Sequence, residues 1–249
     1  MNILVTNDDG IHAKGIGLLI EAAREFGDVY VVAPNSQQSA VSQGLTIHEP
    51  LQIEQMENLF QDITSYAISG KPADCIKVAL EYLRFPIDMV FSGVNDGPNL
   101  GTDILYSGTV AAASEASIFN IPSVAFSTDF GCFSIVEEEL HSTIEYVLHH
   151  KLPSPGRIVN VNFPLNKFRR SKGIRLTTQG MRIFSAKFRH DEGKYWQEGD
   201  WVHVRNEKNT DVTAVSEGYI SITPLGTDRT DYELLEVWRE QQMKLMQKK

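Results

Sequence analysis

The sequence predicts an α/β protein built on a mostly parallel β-sheet with helices on both faces. Two observations support this fold class. Short apolar runs alternate with helical segments between Ile3 and Phe163, and the runs stop at polar, glycine or proline residues. Strands separated by helices form βαβ units, in which the strands are parallel and the helices cover the sheet. Hydrophobic residues make up 42% of the chain, which is enough for the core of such a sheet.

Each predicted element follows from its local pattern. The strands are short apolar runs that would be buried on both faces, at 3–5, 29–33, 89–91, 123–127 and 158–163. The helices carry apolar residues at helical spacing or are rich in alanine, at 17–26, 73–83, 110–119 and 137–150. Gly27 marks the end of the first helix, and Pro72 marks the start of the second.

The pattern changes from about Gly173. Short alternating segments at 201–204 and 219–223 predict antiparallel hairpins outside the main sheet. The tail over 231–249 predicts a helix with an imperfect apolar stripe. We therefore divide the chain into a core over residues 1–172 and a hairpin and helix elaboration over residues 173–249. The elaboration is expected to pack on its own subunit or to reach across to another, and so to take part in oligomerisation.

Composition excludes several classes of protein. The net charge of −9 and the pI near 5.3 argue against a broad basic surface for a nucleic-acid duplex. The N-terminus has no basic region of a signal peptide, and no apolar run reaches the ~20 residues that span a bilayer. Cys75 and Cys132 lie outside any paired metal-ligand spacing. These features predict a reduced, cytoplasmic protein with no membrane partner.

The first candidate site is the pair Asp8 and Asp9, directly after the first strand. Adjacent carboxylates repel each other, and burial without a counter-charge is costly. A hard divalent cation such as Mg²⁺ or Mn²⁺ resolves that conflict. An alternative is that an aspartate caps the N-terminus of the following helix. On these two residues alone, the two interpretations are equally good.

Other polar segments are expected at the same edge of the sheet. The glycine-rich loop over 92–101 follows a strand, and its Asn95 offers an oxygen for a metal or an amide for a phosphate. Ser107, Gly108 and Thr109 begin a helix, where backbone amides and two hydroxyls suit an anion, although Ser and Thr are also common helix caps. Gly108 is expected to let these amides approach the phosphate. The loop of Ser39 is by itself better explained as a polar turn.

Several enzyme classes lack their motifs in this chain. HExxH and GxSxG are absent, and so are the Walker lysine motif and GxGxxG. A zinc site of the HExxH type, serine hydrolases, P-loop NTPases and simple dehydrogenases are therefore excluded.

The motifs resemble those of a known family. Residues 7–11 are similar to the N-terminal signature of the SurE family of 5′/3′-nucleotidases, and residues 92–101 and 106–112 are similar to its central signature. Segments at 70–75, 160–164 and 217–225 extend the resemblance from residue 1 to about residue 230. The resemblance implies a Rossmann-like domain with a smaller elaboration. It also implies homodimers or homotetramers built partly by exchanged C-terminal elements.

The resemblance also implies a set of site residues. One divalent metal ion per subunit, Mg²⁺ or Mn²⁺, would be held by Asp8, Asp9, Ser39 and Asn95. The phosphate would lie against Asn95, Ser107, Gly108 and Thr109, and the catalytic residues would be Asp8, Asp9 and Asn95. The loop before Ser39 lacks the basic residues usual in the family, which leaves the nucleobase or ribose preference open.

The implied activity is metal-dependent hydrolysis of nucleoside 5′-monophosphates, and of 3′-monophosphates as a further substrate, as in a 5′-nucleotidase or acid phosphatase. Two alternatives stay open: a phosphatase for polyphosphate or phosphosugars, and a nucleotide sensor without turnover. Paired acids favour an enzyme, because a pure anion binder gains nothing from negative charge beside its ligand. The nucleophile is either water or one of the aspartates.

Overall fold

A computed structural model describes residues 1–246 and shows one large sheet of nine strands beside a separate two-stranded hairpin. The order across the large sheet is β3-β4-β2-β1-β5-β6-β7-β11-β8. Its strands are β1 (Asn2–Thr6), β2 (Asp28–Pro34), β3 (Ile53–Gln55), β4 (Thr64–Ile68), β5 (Met89–Asp96), β6 (Ser123–Thr128), β7 (Arg157–Asn162), β8 (Ile174–Leu176) and β11 (Ile220–Gly226).

The centre of this sheet is parallel. β4, β2, β1, β5, β6 and β7 run in one direction, with Val5 opposite Val31 on one side and Phe91 on the other. The chain moves outward from β1 to β2 and β4, then returns to place β5 on the other side of β1. This reversal makes the carboxyl ends of β1 and β5 a topological switch point, where parallel sheets bind ligands.

The helices cover both faces of the sheet. α1 (Lys14–Ala23) and α4 (Ser134–His149) pack together on one face. α2 (Pro72–Lys77), which continues as a π-helical turn over Val78–Tyr82, packs with α3 (Gly108–Ile118) on the other. A short 3₁₀ helix covers Gly101–Leu105. Each layer has its own apolar core against the sheet, so the fold has three layers.

The five predicted strands and four predicted helices are confirmed, with shifted boundaries. The fold class is confirmed as well: the chain has a mostly parallel sheet, a separate antiparallel hairpin and a C-terminal helix. Sequence patterns did not reveal the edge strand β3 and its neighbour β4, which are short and rich in polar residues. They also missed β8 and helix α5 (Asp211–Glu217).

The assignment of 219–223 to a hairpin outside the main sheet is wrong. β11 lies inside the large sheet, antiparallel to β7. Its polar residues Ser221 and Thr223 look solvent-facing in the sequence, yet both are buried. Their hydroxyls lie 2.8 and 2.7 Å from the Thr177 hydroxyl. Buried hydroxyl residues therefore give β11 the same alternation of polar and apolar residues in sequence as a strand with one face exposed to solvent.

The hairpin arm is the exposed antiparallel pair β9 (Ile183–Asp191) and β10 (Lys194–Val202), joined by a tight turn at Glu192 and Gly193. Of the strand expected at 201–204, Trp201 and Val202 form the end of β10, and residues 203 and 204 lie beyond it. The C-terminal helix α6 covers Tyr232–Met246, and the rest of its predicted range, 247–249, lies outside the described residues. The division of the chain at residue 172 stays a prediction. No helix within residues 1–246 is long and apolar enough to cross a membrane.

Candidate active site

Asp8 and Asp9 follow β1 at the switch point, and Asn95 lies near the end of β5, the neighbouring strand. Asp8 is buried, with 5% of its surface exposed, and Asp9 is half-buried. Parallel strand ends meet at one edge, so the sheet topology brings together residues 87 positions apart: the Asp96 backbone N–H donates to Asp9 Oδ2 at 2.9 Å.

The carboxyl of Asp8 faces the start of α3. The Thr109 hydroxyl donates to Asp8 Oδ1. Burial raises the pKa of Asp8 from 3.8 to about 7, and the Thr109 hydrogen bond lowers it only in part. The neighbouring charge of Asp9 contributes to this raised value. The ionised form of Asp8 is therefore disfavoured in the protein alone.

Asp9 has a less buried environment. Its Oδ2 accepts the Asp96 N–H, and its Oδ1 accepts a longer bond of 3.3 Å from the Gln37 side chain. Burial raises the pKa of Asp9, and the charge of Asp96 adds to that effect. Within residues 1–246, neither Asp8 nor Asp9 forms a salt bridge with a basic side chain.

The helix-cap alternative for these acids is wrong. α1 begins at Lys14, its N-cap is Ala13, and no side chain hydrogen-bonds that cap. The turn after β1 instead closes on itself, since the Asn7 side chain donates to the Gly10 carbonyl at 2.8 Å. Gly10 has a φ of +100°, which a side chain would strain. The turn thus separates the two acids from α1.

Asn95 is oriented by its own loop. Its side-chain nitrogen donates to the Gly97 carbonyl at 2.6 Å. One of the two amide hydrogens is therefore engaged, and the side-chain oxygen accepts no hydrogen bond from any residue that the structure describes. The free oxygen suits the predicted role of Asn95 toward a cation, and the second amide hydrogen leaves the predicted donor role toward a phosphate open.

The two hydroxyl groups at the start of α3, those of Ser107 and Thr109, have different partners. Ser107 is the N-cap, and its Oγ accepts the Val110 N–H at 3.1 Å, which leaves the hydroxyl hydrogen free to donate. Thr109 uses its hydroxyl hydrogen on Asp8. Ser107 is thus equipped to donate to a phosphate, while Thr109 orients a carboxylate.

Gly108 has a neighbour that the sequence did not suggest. A Cβ at this position would lie 2.8 Å from Asp8 Cβ and 2.9 Å from Asp8 Oδ2. Contacts this short require something to move. The absence of a side chain therefore leaves room for Asp8, in addition to the expected approach of backbone amides to an anion.

The Ser39 loop reaches the site through its backbone. Gln38 N–H donates to the Asp8 carbonyl at 2.7 Å. Ser42 holds the segment before α3, because its N–H and its hydroxyl donate to the carbonyls of Tyr106 and Leu105 at 2.9 and 2.8 Å. Ser39 itself is exposed, next to the Gln38 contact. The loop borders the acids and the α3 start, and a ligand role for Ser39 stays a prediction.

Comparison with known proteins identifies the family. The family model of Survival protein SurE matches residues 3–186. The chain belongs to the SurE family. It is 41% identical to the 5′-nucleotidase SurE of Alkaliphilus metalliredigens, covering 94% of this chain and 95% of that protein. It is 43% identical to the 5′-nucleotidase SurE of Caldanaerobacter subterraneus subsp. tengcongensis, covering 93% and 94%.

A solved SurE structure has the same fold. The crystal structure of the SurE protein from Aquifex aeolicus superposes with a TM-score of 0.80 at 35% identity, covering 97% of this chain and all of that one. The resemblance inferred from the signatures at residues 7–11 and 92–112 is thereby confirmed.

The donors of this SurE site fit a hard divalent cation. Two adjacent carboxylates, one of them buried, lack a basic partner within the described chain, and the Asn95 oxygen is free. No cluster of three or more His, Cys, Asp or Glu within residues 1–246 is arranged for a metal. One or two carboxylates with neutral oxygens are the donor set typical of Mg²⁺.

Sequence reasoning missed the residues that hold the Asn95 loop. Asn99 is buried, and its N–H donates to Asn162 at 2.8 Å, while its side chain donates to Ser127 at 2.8 Å. Its carbonyl accepts from Asn160 and Asn162 at 2.9 and 3.0 Å. Repeated asparagines at the end of the β7 segment, unusual in a buried strand, were the available signal.

A second anchor of the loop is Asp211, at the start of α5. This fully buried carboxylate accepts the N–H groups of Gly101 and Gly180 at 2.8 Å each, and that of Val212 at 2.7 Å. Burial raises the pKa of Asp211, and these hydrogen bonds oppose the shift. Asp211 therefore joins the active-site loop to the base of the hairpin arm.

Proposed function

We propose that this chain is a divalent-metal-dependent phosphatase that hydrolyses nucleoside 5′-monophosphates to nucleoside and phosphate, and accepts 3′-monophosphates as well. Its SurE relatives carry the name 5′-nucleotidase, which supports a hydrolase of the nucleotidase type. The observation that carries the proposal is the buried Asp8 beside Asp9, without a basic partner in the described residues, facing the start of a helix.

The acids and Asn95 would hold the cation. Asp8, Asp9 and the free oxygen of Asn95 lie at the ends of two neighbouring strands, and Ser39 borders them. When bound, the cation would supply polarisation of the phosphoryl group and a nucleophile at neutral pH. The Thr109 hydroxyl would keep Asp8 oriented, and its hydrogen bond favours the ionised form that a cation needs.

The start of α3 would receive the phosphate. N–H groups at a helix start have no partner within the helix, and they attract anions. Ser107 adds a hydroxyl hydrogen that no intrahelical bond uses. These donors are held in place before the reaction, so they would stabilise charge that develops on the phosphoryl oxygens.

Asp9 is the carboxylate best placed to orient an attacking water. It is more exposed than Asp8, and its Oδ1 receives only the 3.3 Å bond from Gln37. A water nucleophile is therefore favoured over attack by the buried Asp8, whose Oδ1 accepts the Thr109 hydroxyl.

We further propose that the protein forms homodimers or homotetramers in the cytoplasm. The hairpin arm exposes Phe188 and Trp196, and α6 has no buried residue although it carries Trp238 and Leu245. An isolated two-stranded hairpin is marginally stable in water, so a partner subunit would stabilise the arm. Sedimentation velocity of the full chain would show a monomer if this assembly is absent.

A substrate panel with several metals tests the activity. AMP, GMP, 3′-AMP, ribose 5-phosphate and polyphosphate would each be assayed for phosphate release with Mg²⁺, Mn²⁺ and EDTA. We expect hydrolysis of the nucleoside monophosphates with metal and none with EDTA. Asp8→Asn and Asp9→Asn should lose most of that activity. Nucleotide binding without turnover under every condition would favour a sensor, and preference for polyphosphate would favour the broader phosphatase.

A further inference from the structure

Phe130 is an exposed aromatic residue beside the candidate active site. It follows β6, whose carboxyl end borders that of β5, and 66% of its surface is exposed. Removing an aromatic ring of this size from water is favourable, and a ring left exposed beside a site is ready to be covered by a ligand.

The segment that presents Phe130 is well anchored. Cys132 N–H donates to the Asp129 carbonyl at 3.1 Å, which closes a turn with Phe130 as its second residue. The Thr128 hydroxyl donates to the Cys132 carbonyl at 2.8 Å. The Asp129 side chain accepts the backbone N–H of Asn166 at 2.9 Å. The ring is therefore presented by a fixed turn.

The turn is also joined to the acids of the site. Asp96 accepts the Gly131 N–H at 2.6 Å through its side chain, while its own N–H donates to Asp9 Oδ2 at 2.9 Å. Asp96 thus links the Phe130 turn directly to Asp9. The position of the ring is coupled to the carboxylate by two successive hydrogen bonds.

The ring rests on the loop that orients Asn95. A Cβ at Gly97 would lie 2.6 Å from the Phe130 ring, so the ring packs closely against the glycine backbone. The Gly97 carbonyl accepts the Asn95 amide at 2.6 Å. Phe130 therefore contacts Gly97, which is hydrogen-bonded to Asn95, a proposed cation ligand. The ring lies at the rim of the site.

We propose that Phe130 is the surface on which the nucleobase of the substrate stacks. This inference rests on the proposed function and names the contact that distinguishes a nucleotide from a simple phosphate ester. Every base has a π-face, so stacking tolerates all bases and favours purines through their larger area. The inference adds a base-binding residue to a site whose other donors address only the cation and the phosphate.

The test compares substrates with and without a base. Phe130→Ala should lower kcat/KM for AMP by roughly 5- to 150-fold, the range for losing one stacked base. The loss for CMP should be smaller, and kcat/KM for ribose 5-phosphate should stay within about twofold. Phe130→Trp should retain activity on AMP because it keeps a π-face. Tyr82→Ala, which removes a similarly exposed ring at 70% exposure at the end of the π-helical turn, is the matched control and should change neither substrate.

Binding measured by calorimetry separates this inference from the proposed function. If the wild type hydrolyses no nucleotide, the proposed function fails, and the titration still decides the base contact. Weaker binding of AMP to Phe130→Ala, with ribose 5-phosphate unchanged, supports stacking. Equal losses on both ligands, or no loss on either, would overturn it. The melting temperature of Phe130→Ala should stay close to that of the wild type, since most of the ring is exposed.

Discussion

Replacing Asp8 by asparagine should stabilise the metal-free protein while removing its activity. Burial raises the pKa of Asp8 from 3.8 to about 7, a difference of about 3 units. At about 1.36 kcal/mol per unit, the ionised carboxylate costs the folded state up to about 4 kcal/mol above pH 7. Asparagine carries no charge and avoids this cost. The variant forms a weaker hydrogen bond with Thr109, which costs about 1 kcal/mol and offsets part of the gain in stability.

The expected gain is therefore about 2–3 kcal/mol, or about 4–12 °C in melting temperature for a chain of this size. The sign follows from proton binding. Between pH 4 and 7, the folded wild type binds more protons at Asp8 than the unfolded chain does, so its stability falls as pH rises. The advantage of the variant should vanish near pH 4, grow up to about pH 7 and then level off.

Thermal unfolding in EDTA at pH 4, 6 and 8 measures this difference. Asp62→Asn, at an exposed acid, is the matched control and should stay within about 0.5 kcal/mol of the wild type. Added Mg²⁺ should stabilise the wild type, by about 2.7 kcal/mol at 100 times its Kd, and leave Asp8→Asn almost unchanged. A variant that melts below the wild type in EDTA at pH 8 would refute the electrostatic reasoning and show that the carboxylate stabilises the fold.

Three further predictions concern the loops around the site. Ser107→Ala should lower kcat by about 10- to 150-fold, because it removes a hydrogen bond to a charged group, and such a bond contributes about 1.5–3 kcal/mol. Unchanged initial rates on AMP would exclude Ser107 from the phosphate site. Gly108→Ala should weaken metal affinity as well as turnover, since the new Cβ would lie 2.8 Å from Asp8; calorimetry with Mn²⁺ that shows wild-type affinity would contradict this. Asp211→Asn should cost about 1–3 kcal/mol of stability, because the new amide group would face a backbone N–H. Its melting temperature, compared with that of Asp62→Asn at an exposed acid, measures the effect, and equal values would argue against the anchor.

Sequence patterns predicted the parallel centre of the fold because its strands are continuous apolar runs. β1, β5 and β6 are buried along nearly their whole length and are bounded by polar turns. β4 was missed because its sequence, Thr-Ser-Tyr-Ala-Ile, mixes polar and apolar residues at an outer position in the sheet. β11 was misplaced because Ser221 and Thr223 form buried hydroxyl contacts, which hydrophobicity does not register.

The site was predictable to the extent that it depends on strand ends. Asp8, Asp9 and Asn95 could be grouped because each lies at or just beyond the carboxyl end of a strand of one parallel sheet. The separate tasks of Ser107 and Thr109 could not be predicted, since they depend on where one hydroxyl hydrogen points. The role proposed for Phe130 could not be predicted from the sequence either, because it depends on the position of the exposed ring over Gly97 in the folded chain.

The buried carboxylate of Asp211 has a consequence for how the protein opens and closes locally. It ties Gly101, in the active-site loop, to a segment more than a hundred residues later in the chain. Fraying of the hairpin base or of α5 would release the Gly101 amide and loosen the loop that carries Asn95. Residues 1–172 expressed alone would lack β8, β11 and this tether. In native-state hydrogen exchange, the Gly101 amide should therefore exchange at the rate of the α5 region. The loop that carries Asn95 and the α5 region would then open as one cooperative unit.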